Sequence, residues 1–413
     1  MIFLNHMYLT PEFWAFIDEN KDIDPYKLRL KYHGDDTADF AILQIECRKK
    51  YAKKLAKTLM RQHWLFPDSI SGEQSTSDIL ADFHASLISK GDTVVDLTAG
   101  LGIDCIHFAS RAASVTAVEM NPFKAEILAY NTDGGNINVI CSDCRDFVSN
   151  YSGEKFDVAF IDPARRADDG SRVFSLADCS PNVVNMLSDI SRIARRLIIK
   201  MSPMLDISHT ASLLPCLSKM IVVGTTTECK ELVAIVDFDK ESENELGYVN
   251  DRYIIEAVTI GPDATYSDLS FTWTENATAT PSFAMPKAGD YLYMPYPAVM
   301  KAAPFNLLSE MYHVSLLHAN THIYVSSVCD DSFPGTVMSI IEVLPYASSV
   351  IKRLNRKYKK LNITARNFSI SADALRKKLK VSDGGDMRLF AVTCCDGKEY
   401  LCLVVTALLY KAV

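Results

Sequence analysis

A chain of 413 residues, 48% hydrophobic and 23% charged, has the composition of a soluble globular protein and is too long for one ordinary domain, so two to four are expected. Its longest apolar run, residues 401–410, is interrupted by Thr406 and too short to cross a bilayer, so no membrane association is expected. The net charge of −8 speaks against a polyanionic partner, but between Ile351 and Lys380 eleven Lys and Arg stand against Asp373 alone, a local +10 that leaves −18 on the remainder. Charge separated this sharply suggests a basic face meant for a polyanion. The start, MIFLNHMYLTPEF, has no basic lead and no small-residue cleavage pattern, so no signal peptide is expected. Eleven scattered cysteines, an odd number, read as free thiols of a reducing, cytoplasmic compartment.

In chain order, residues 1–88 read as a helical region. Thr10 caps a helix with Pro11 at its first position and Phe13, Phe16 and Ile17 at helical spacing. Pro25 begins another. A longer helix is expected over 40–64, apolar at Ile42, Ile45, Leu55 and Leu59. It carries Arg48, Lys49, Lys50, Lys53, Lys54, Lys57 and Arg61, a solvated face or a phosphate-contacting one. After a polar loop, Thr76 or Ser77 caps a helix over 78–89.

Val94 and Val95 end a short buried strand, followed by Asp96 and the small-residue turn Thr98-Ala99-Gly100-Leu101-Gly102. A helix starts near Asp104, with Ile103, Ile106, His107 and Phe108 as its apolar periodicity. A second strand, 114–118, ends in Glu119-Met120-Asn121-Pro122, and a third, 137–140, in Cys141-Ser142-Asp143. A fourth, 156–161, ends in Asp162-Pro163-Ala164-Arg165-Arg166. A helix over 182–190 and a fifth strand, 196–200, follow. Strands over 220–223 and 232–238 are joined by a polar turn, and 253–260 with 269–273 form an additional pair. A linker is expected over 272–290. Beyond it a strand at 291–293, a helix over 298–311 and a strand at 322–328 make a small α+β unit. The last piece carries a basic helix over 348–361, a strand, a helix over 371–379, and strands at 387–393 and 400–405. The domains expected are 1–88, 89–275, 280–343 and 344–413.

A strand, a glycine turn and a helix in this order present backbone N–H groups at a strand's C-terminal end, where nucleotide-like ligands bind in open α/β sheets. Four consecutive strands each end in a carboxylate: Asp96, Glu119, Asp143 and Asp162. An acid at the position of Glu119 can accept both hydroxyls of a ribose. Cys141 and Cys144 form a lone CxxC with no second pair at zinc spacing; core thiols are the simpler account, and no metal is expected.

The order strand-DLTAGLG, strand-VEMNP, strand-SD, strand-DPARR resembles a class I S-adenosylmethionine-dependent methyltransferase. The TAGLG turn is similar to that of the small-subunit ribosomal RNA guanine N2-methyltransferases. The whole chain resembles bacterial proteins that append a ferredoxin-like and a THUMP-like piece to such a domain. The resemblance implies a Rossmann-like, seven-stranded α/β sheet with a helical region before it and small α+β domains after it. It implies that Asp96, Gly100 and Gly102 border the methionine part of S-adenosylmethionine, with Thr98, Ala99, Met120 and Cys144 as neighbouring cofactor positions. Glu119 would hold the ribose and Asp143 the adenine amine, while Gln74 and Ser77, before the closing helix, reach the ligand's carboxylate, though capping alone would explain Ser77.

Asp162 and Pro163 would face the substrate. Amine methyltransferases commonly have an aromatic residue two places after this proline, where it stacks on a flipped base; here Arg165 stands in the turn, and a guanidinium plane can stack too. A cysteine-dependent pyrimidine mechanism needs a thiol beside the base; no Cys lies in the DPARR turn, and Cys179 reads as a core thiol. Arg165 and Arg166 leave the strand end facing the site, as a phosphate or base contact or as a surface pair balancing Asp168 and Asp169. The implied activity is methylation of an rRNA or tRNA base, a guanine amine among the candidates, with Arg353, Arg356, Lys357, Lys360 and Arg366 on the RNA. A small-molecule methyltransferase and a non-catalytic RNA-binding protein with a cofactor-like pocket stay open, as does the oligomeric state.

Overall fold

The computed structural model describes residues 9–164, 175–239, 253–261 and 263–406. Two units are distinguished: residues 1–218 with 234–245, and residues 219–233 with 246–413.

The first unit opens with the helices Pro11–Asn20, Pro25–Lys31 and Asp36–Tyr51. Each starts where a side chain takes over an orphan amide: Thr10 Oγ1 accepts from Phe13 N–H at 3.3 Å and Asp35 Oδ1 from Ala38 N–H at 2.9 Å. The third helix stops at Tyr51, short of the expected 40–64. Beyond it the chain runs on in turns, with Leu55 N–H on Tyr51 O at 2.9 Å, and Asp78 Oδ2 accepts the amides of Lys57 at 2.7 Å and Thr58 at 3.1 Å. Phe13, Ile17, Phe40, Ile42 and Ile45 pack onto Ile127 and Phe123 of the helix Pro122–Asn131.

Five strands of this unit stand in the order β3-β2-β1-β4-β5: β1 (Thr93–Asp96), β2 (Ser114–Glu119), β3 (Ile137–Cys141), β4 (Phe156–Ile161) and β5 (Ala194–Met201). All four pairings are parallel. Helices Ile103–Ala109, Pro122–Asn131 and Cys144–Asn150 follow β1, β2 and β3. Such crossovers bury both sheet faces, which is why the strands read as apolar runs rather than alternations. β6 (Leu217–Thr225) and β7 (Cys229–Asp237) form a hairpin closed by Thr225 N–H on Glu228 O at 2.8 Å, and residues 234–237 of β7 belong to the first unit.

In the second unit β6 pairs in parallel with β8 (Ile254–Ile260), which pairs antiparallel with β9 (Tyr266–Phe271). β8 and β9 are the additional pair expected beyond the seven strands that the resemblance implies. Inside the expected linker 272–290 lies a helix, Trp273–Thr278, begun by a reciprocal Thr272–Glu275 capping box. The expected helix 298–311 is two, Pro297–Ala302 and Phe305–Met311, because Ala303 turns left-handed (φ 60°) before Pro304. A seven-stranded sheet follows in the order β11-β12-β10-β13-β16-β15-β14. Its strands are β10 (Tyr291–Pro295), β11 (Ser315–Leu316), β12 (Tyr324–Ser326), β13 (Gly335–Pro345), β14 (Asn362–Arg366), β15 (Arg388–Thr393) and β16 (Glu399–Thr406). Helices Ser348–Lys357 and Ala372–Leu379 bury Ile351, Leu354, Leu375 and Leu379 against Leu389 and Leu403 of this sheet.

His107 is buried in the first unit between two acids, Nδ1 lying 2.8 Å from Asp82 Oδ1 and Nε2 3.2 Å from Asp78 Oδ1. Burial pushes its pKa down, but the two carboxylates outweigh that and raise it above the ordinary 6.5. The stabilisation from this pair is therefore complete below 6.5 and is lost as pH rises through the higher folded value. The difference in melting temperature between the parent and His107→Gln should be widest below pH 6.5 and shrink as pH rises above it. A pH-independent difference would show that the imidazole carries no charge there.

Candidate active site

Parallel pairing brings the C-terminal ends of β1 to β5 to one edge, and backbone bonds lace the loops that leave it. Leu97 N–H donates to Phe160 O at 2.9 Å, Ala99 N–H to Val118 O at 3.0 Å, and Ser142 N–H to Glu119 O at 3.1 Å. Gly102 has φ 81°, which strains any other residue, and a Cβ there would sit 2.1 Å from Leu128 Cδ1, so that side chain would have to shift. Gly100 has φ 53°, and a Cβ would meet nothing nearer than Thr98 O at 3.9 Å. The turn is thus bare on one side.

Asp96 is 1% exposed. Its Oδ1 accepts from Thr98 N–H at 3.0 Å and its Oδ2 from Cys105 Sγ at 3.1 Å. Burial, with the charge of nearby Asp104, pushes its carboxyl up to about 7. Asp104, also buried, accepts from Thr76 Oγ1 at 2.5 Å and lies 2.7 Å from His84 Nδ1. Burial raises the Asp104 carboxyl, but His84, Lys200 and Thr76 together outweigh it and the net shift is downward. These acids shape the turn rather than standing free in it.

Glu119 ends β2 with its carboxylate aimed by two amides: Gly100 N–H reaches Oε2 at 3.1 Å and Asn121 N–H reaches Oε1 at 2.8 Å. Each oxygen keeps a further lone pair for a ligand. Met120, beside it, is 69% exposed. Asp143 caps the helix Cys144–Asn150 and is clasped by Arg145, whose Nη2 lies 2.7 Å from Oδ2; that clasp holds its carboxyl below the ordinary range. A ligand amine at Asp143 would have to share it with Arg145. Ser77 caps the helix Asp78–Ser86, and Gln74 is exposed at the end of the helix Ser69–Gln74.

Asp162 follows β4 and is held from two sides. Its N–H donates to Thr98 Oγ1 at 2.8 Å, and its Oδ2 accepts from Lys200 Nζ at the end of β5. Pro163 is buried, and Ala164 pairs through its backbone with Ser180. That pairing brings Cys179 close enough for the charge of Asp162 to act on it. Burial chiefly, then Asp178 and Asp162, push the thiol up, the reverse of what a nucleophile needs. Arg165, Arg166, Asp168 and Asp169 lie outside the described residues. Lys200, Asp104, His84 and Thr76 did not stand out in the sequence, although a lysine closing the apolar run Leu197-Ile198-Ile199 was a legible signal.

In the second unit Arg356 and Lys357 end the helix Ser348–Lys357 on its exposed side, with exposed Lys360 after it and exposed Arg366 at the end of β14. Arg353 is already engaged, its Nη2 2.7 Å from Glu342 Oε1 on β13. Arg376 likewise pairs with Asp373 and with Asp383 at 3.2 Å. Acids from outside the basic stretch therefore neutralise part of it, and a charge count within the stretch does not include them. Among the described residues no group of three or more His, Cys, Asp or Glu could hold a metal ion, and no helix is long and apolar enough to cross a membrane.

A crystal structure of a Porphyromonas gingivalis W83 protein put forward as a methyltransferase superposes with a TM-score of 0.84 at 27% identity, over 95% of this chain and 97% of that one. Residues 335–406 match the family described as THUMP domain-like, and residues 291–334 a ferredoxin-like domain. The protein has a class I methyltransferase fold with ferredoxin-like and THUMP-like domains appended. Two curated proteins match more locally. An uncharacterized Methanocaldococcus jannaschii protein is 33% identical over 93 residues, 21% of this chain. Ribosomal RNA small subunit methyltransferase A of Deinococcus radiodurans is 31% identical over 100 residues, 24% of this chain. The chain spans about a third of the length of these two relatives, 32% and 34%.

The methyltransferase-fold unit contains both members of the CxxC, and they differ. Cys141 is exposed, whereas burial pushes the Cys144 thiol up to about 11. Iodoacetamide at mildly alkaline pH should label Cys141 in the native protein and Cys144 only after unfolding, as read by peptide mass spectrometry. Equal labelling of both would contradict the buried placement of Cys144.

Proposed function

We propose that the protein is an S-adenosylmethionine-dependent methyltransferase acting on a base of RNA, with an exocyclic guanine amine as the candidate acceptor. The observation that carries the cofactor half is the Glu119 carboxylate, aimed by the amides of Gly100 and Asn121 beside a turn whose glycine leaves open space. This donor set fits a nucleoside: a carboxylate for vicinal hydroxyls, and a bare turn for close backbone approach. Gly100, Gly102, Thr98 and Ala99 would border the methionine part, with Met120 against the adenine and Asp143 and Cys144 at its edge. When bound, S-adenosylmethionine supplies a methyl group on a positively charged sulfur. The protein's own task is then positioning. Asp162 presents a carboxylate oxygen to an acceptor N–H, and Pro163 shapes the floor beside it. Arg165 is assigned to the base by its place in the DPARR turn.

RNA as the substrate class is supported by the THUMP-like match and by the activity for which the Deinococcus relative is named. The exposed cations Arg356, Lys357, Lys360 and Arg366 support it further. A small-molecule methyltransferase would share the cofactor residues and would have no use for that basic face.

Calorimetry should show about micromolar binding of S-adenosylmethionine to the purified protein, an affinity ordinary for a buried nucleoside. Glu119→Ala should cost on the order of 2 kcal/mol, roughly 30-fold in Kd. Unchanged affinity would remove Glu119 from the ribose.

For the partner, Arg356, Lys357 and Lys360 changed together to Ala should weaken binding of every RNA tested and leave cofactor affinity alone. The slope of log K against log salt should flatten by about 0.7 for each phosphate that the variant no longer neutralises. The same affinity and slope in the triple variant would leave the small-molecule enzyme as the better reading.

A further inference from the structure

Lys200 is the residue of the active-site edge that neither the resemblance nor the similar proteins single out. It is 9% exposed, at the end of a strand whose preceding residues, Leu197 to Ile199, are wholly buried. An ammonium in such a place costs several kcal/mol unless it is paired. Parallel pairing of β4 and β5 sets Ile161 opposite Ile199, which puts Asp162 and Lys200 side by side where the two strands end. Lys200 Nζ donates to Asp162 Oδ2, and its charge also acts on Asp104. Asp104 is tied to Thr76 and His84, so the lysine is set against a fixed acid on one side and grips Asp162 on the other.

Asp162 is the opposite case. Its side chain is 36% exposed, its backbone is fixed by Thr98 Oγ1, and its Oδ1 accepts no hydrogen bond from the described residues. A carboxylate free to rotate about χ2 offers two interchangeable oxygens. One with Oδ2 fixed offers a single oxygen, Oδ1, in a set direction.

We propose that Lys200 is a positioning residue that fixes Oδ2 of Asp162 so that Oδ1 alone accepts the N–H of the methyl acceptor. The inference rests on the methyltransferase reading and adds to it the group that aims the acceptor. It also favours an acceptor with a hydrogen to donate, such as an exocyclic amine, over a ring nitrogen that has none. The lysine's short reach matters as well as its charge, since a guanidinium would engage the carboxylate through a longer planar fork and shift it.

The test uses the full-length protein, total cellular RNA and S-adenosylmethionine labelled in the methyl group, with calorimetry of S-adenosylhomocysteine as a second readout. Lys200→Ala should lower the rate of label transfer by about 100-fold, as a misplaced acceptor does. Affinity for S-adenosylhomocysteine and for RNA should stay within a few-fold of the parent. Added ethylammonium, which restores the missing cation, should recover a good part of the rate, and it should not rescue Asp162→Ala. Lys200→Met, which keeps the packing of the stem, should behave as Lys200→Ala does and guards against a variant that merely fails to fold. Transfer by Lys200→Ala within a few-fold of the parent overturns the proposal. So does loss of cofactor affinity or of folding in both variants, which would make Lys200 a structural ion pair. A parent protein that binds S-adenosylhomocysteine yet labels no RNA overturns the RNA methyltransferase reading and this inference with it.

Discussion

Burying a carboxylate is tolerable only where amide groups or a cation meet it, and the active-site edge is organised by that requirement. Asp96 is met by the Thr98 amide and the Cys105 thiol, Asp104 by Thr76 and His84, Glu119 by the amides of Gly100 and Asn121, and Asp162 by Lys200. Two of these contacts, Glu119 with Gly100 and Asp162 with Lys200, join one strand end to the loop or strand end of another.

The second unit handles charge differently. Its basic residues sit on two helices and an edge strand, with their apolar sides buried against one sheet. A surface pair such as Arg353 with Glu342 contributes little to stability and is screened by salt. Its effect is to subtract from the field that a polyanion would meet. Exposed cations beyond such pairs, Arg356 and Lys360 among them, define where that field is strongest.

The strand-end acids and the exposed cations thus lie on separate units, each built by its own physics. In one, backbone amides and buried acids are set by parallel strand pairing. In the other, long flexible side chains need only be exposed and near one another. Substitutions in the first should act on affinity and turnover, and those in the second on salt dependence.

Much of this was legible in the sequence. Strand runs, the glycine turn and the acids at 96, 119, 143 and 162 follow from local rules: apolar periodicity, φ freedom at Gly100 and Gly102, and a polar residue where a buried strand surfaces. What was not legible came from contacts between distant residues. The amides of Lys57 and Thr58 are taken by Asp78, 21 and 20 positions away. Arg353 meets an acid eleven residues away on another element, and Lys200 meets Asp162 across 38 positions. Sequence by itself determined the strands around the glycine turn, their order and the identity of the strand-end acids, because each depends on neighbours within a few residues. Only the tertiary structure decided which acids are already engaged, because a carboxylate's partner is chosen by strand pairing and not by its place in the chain.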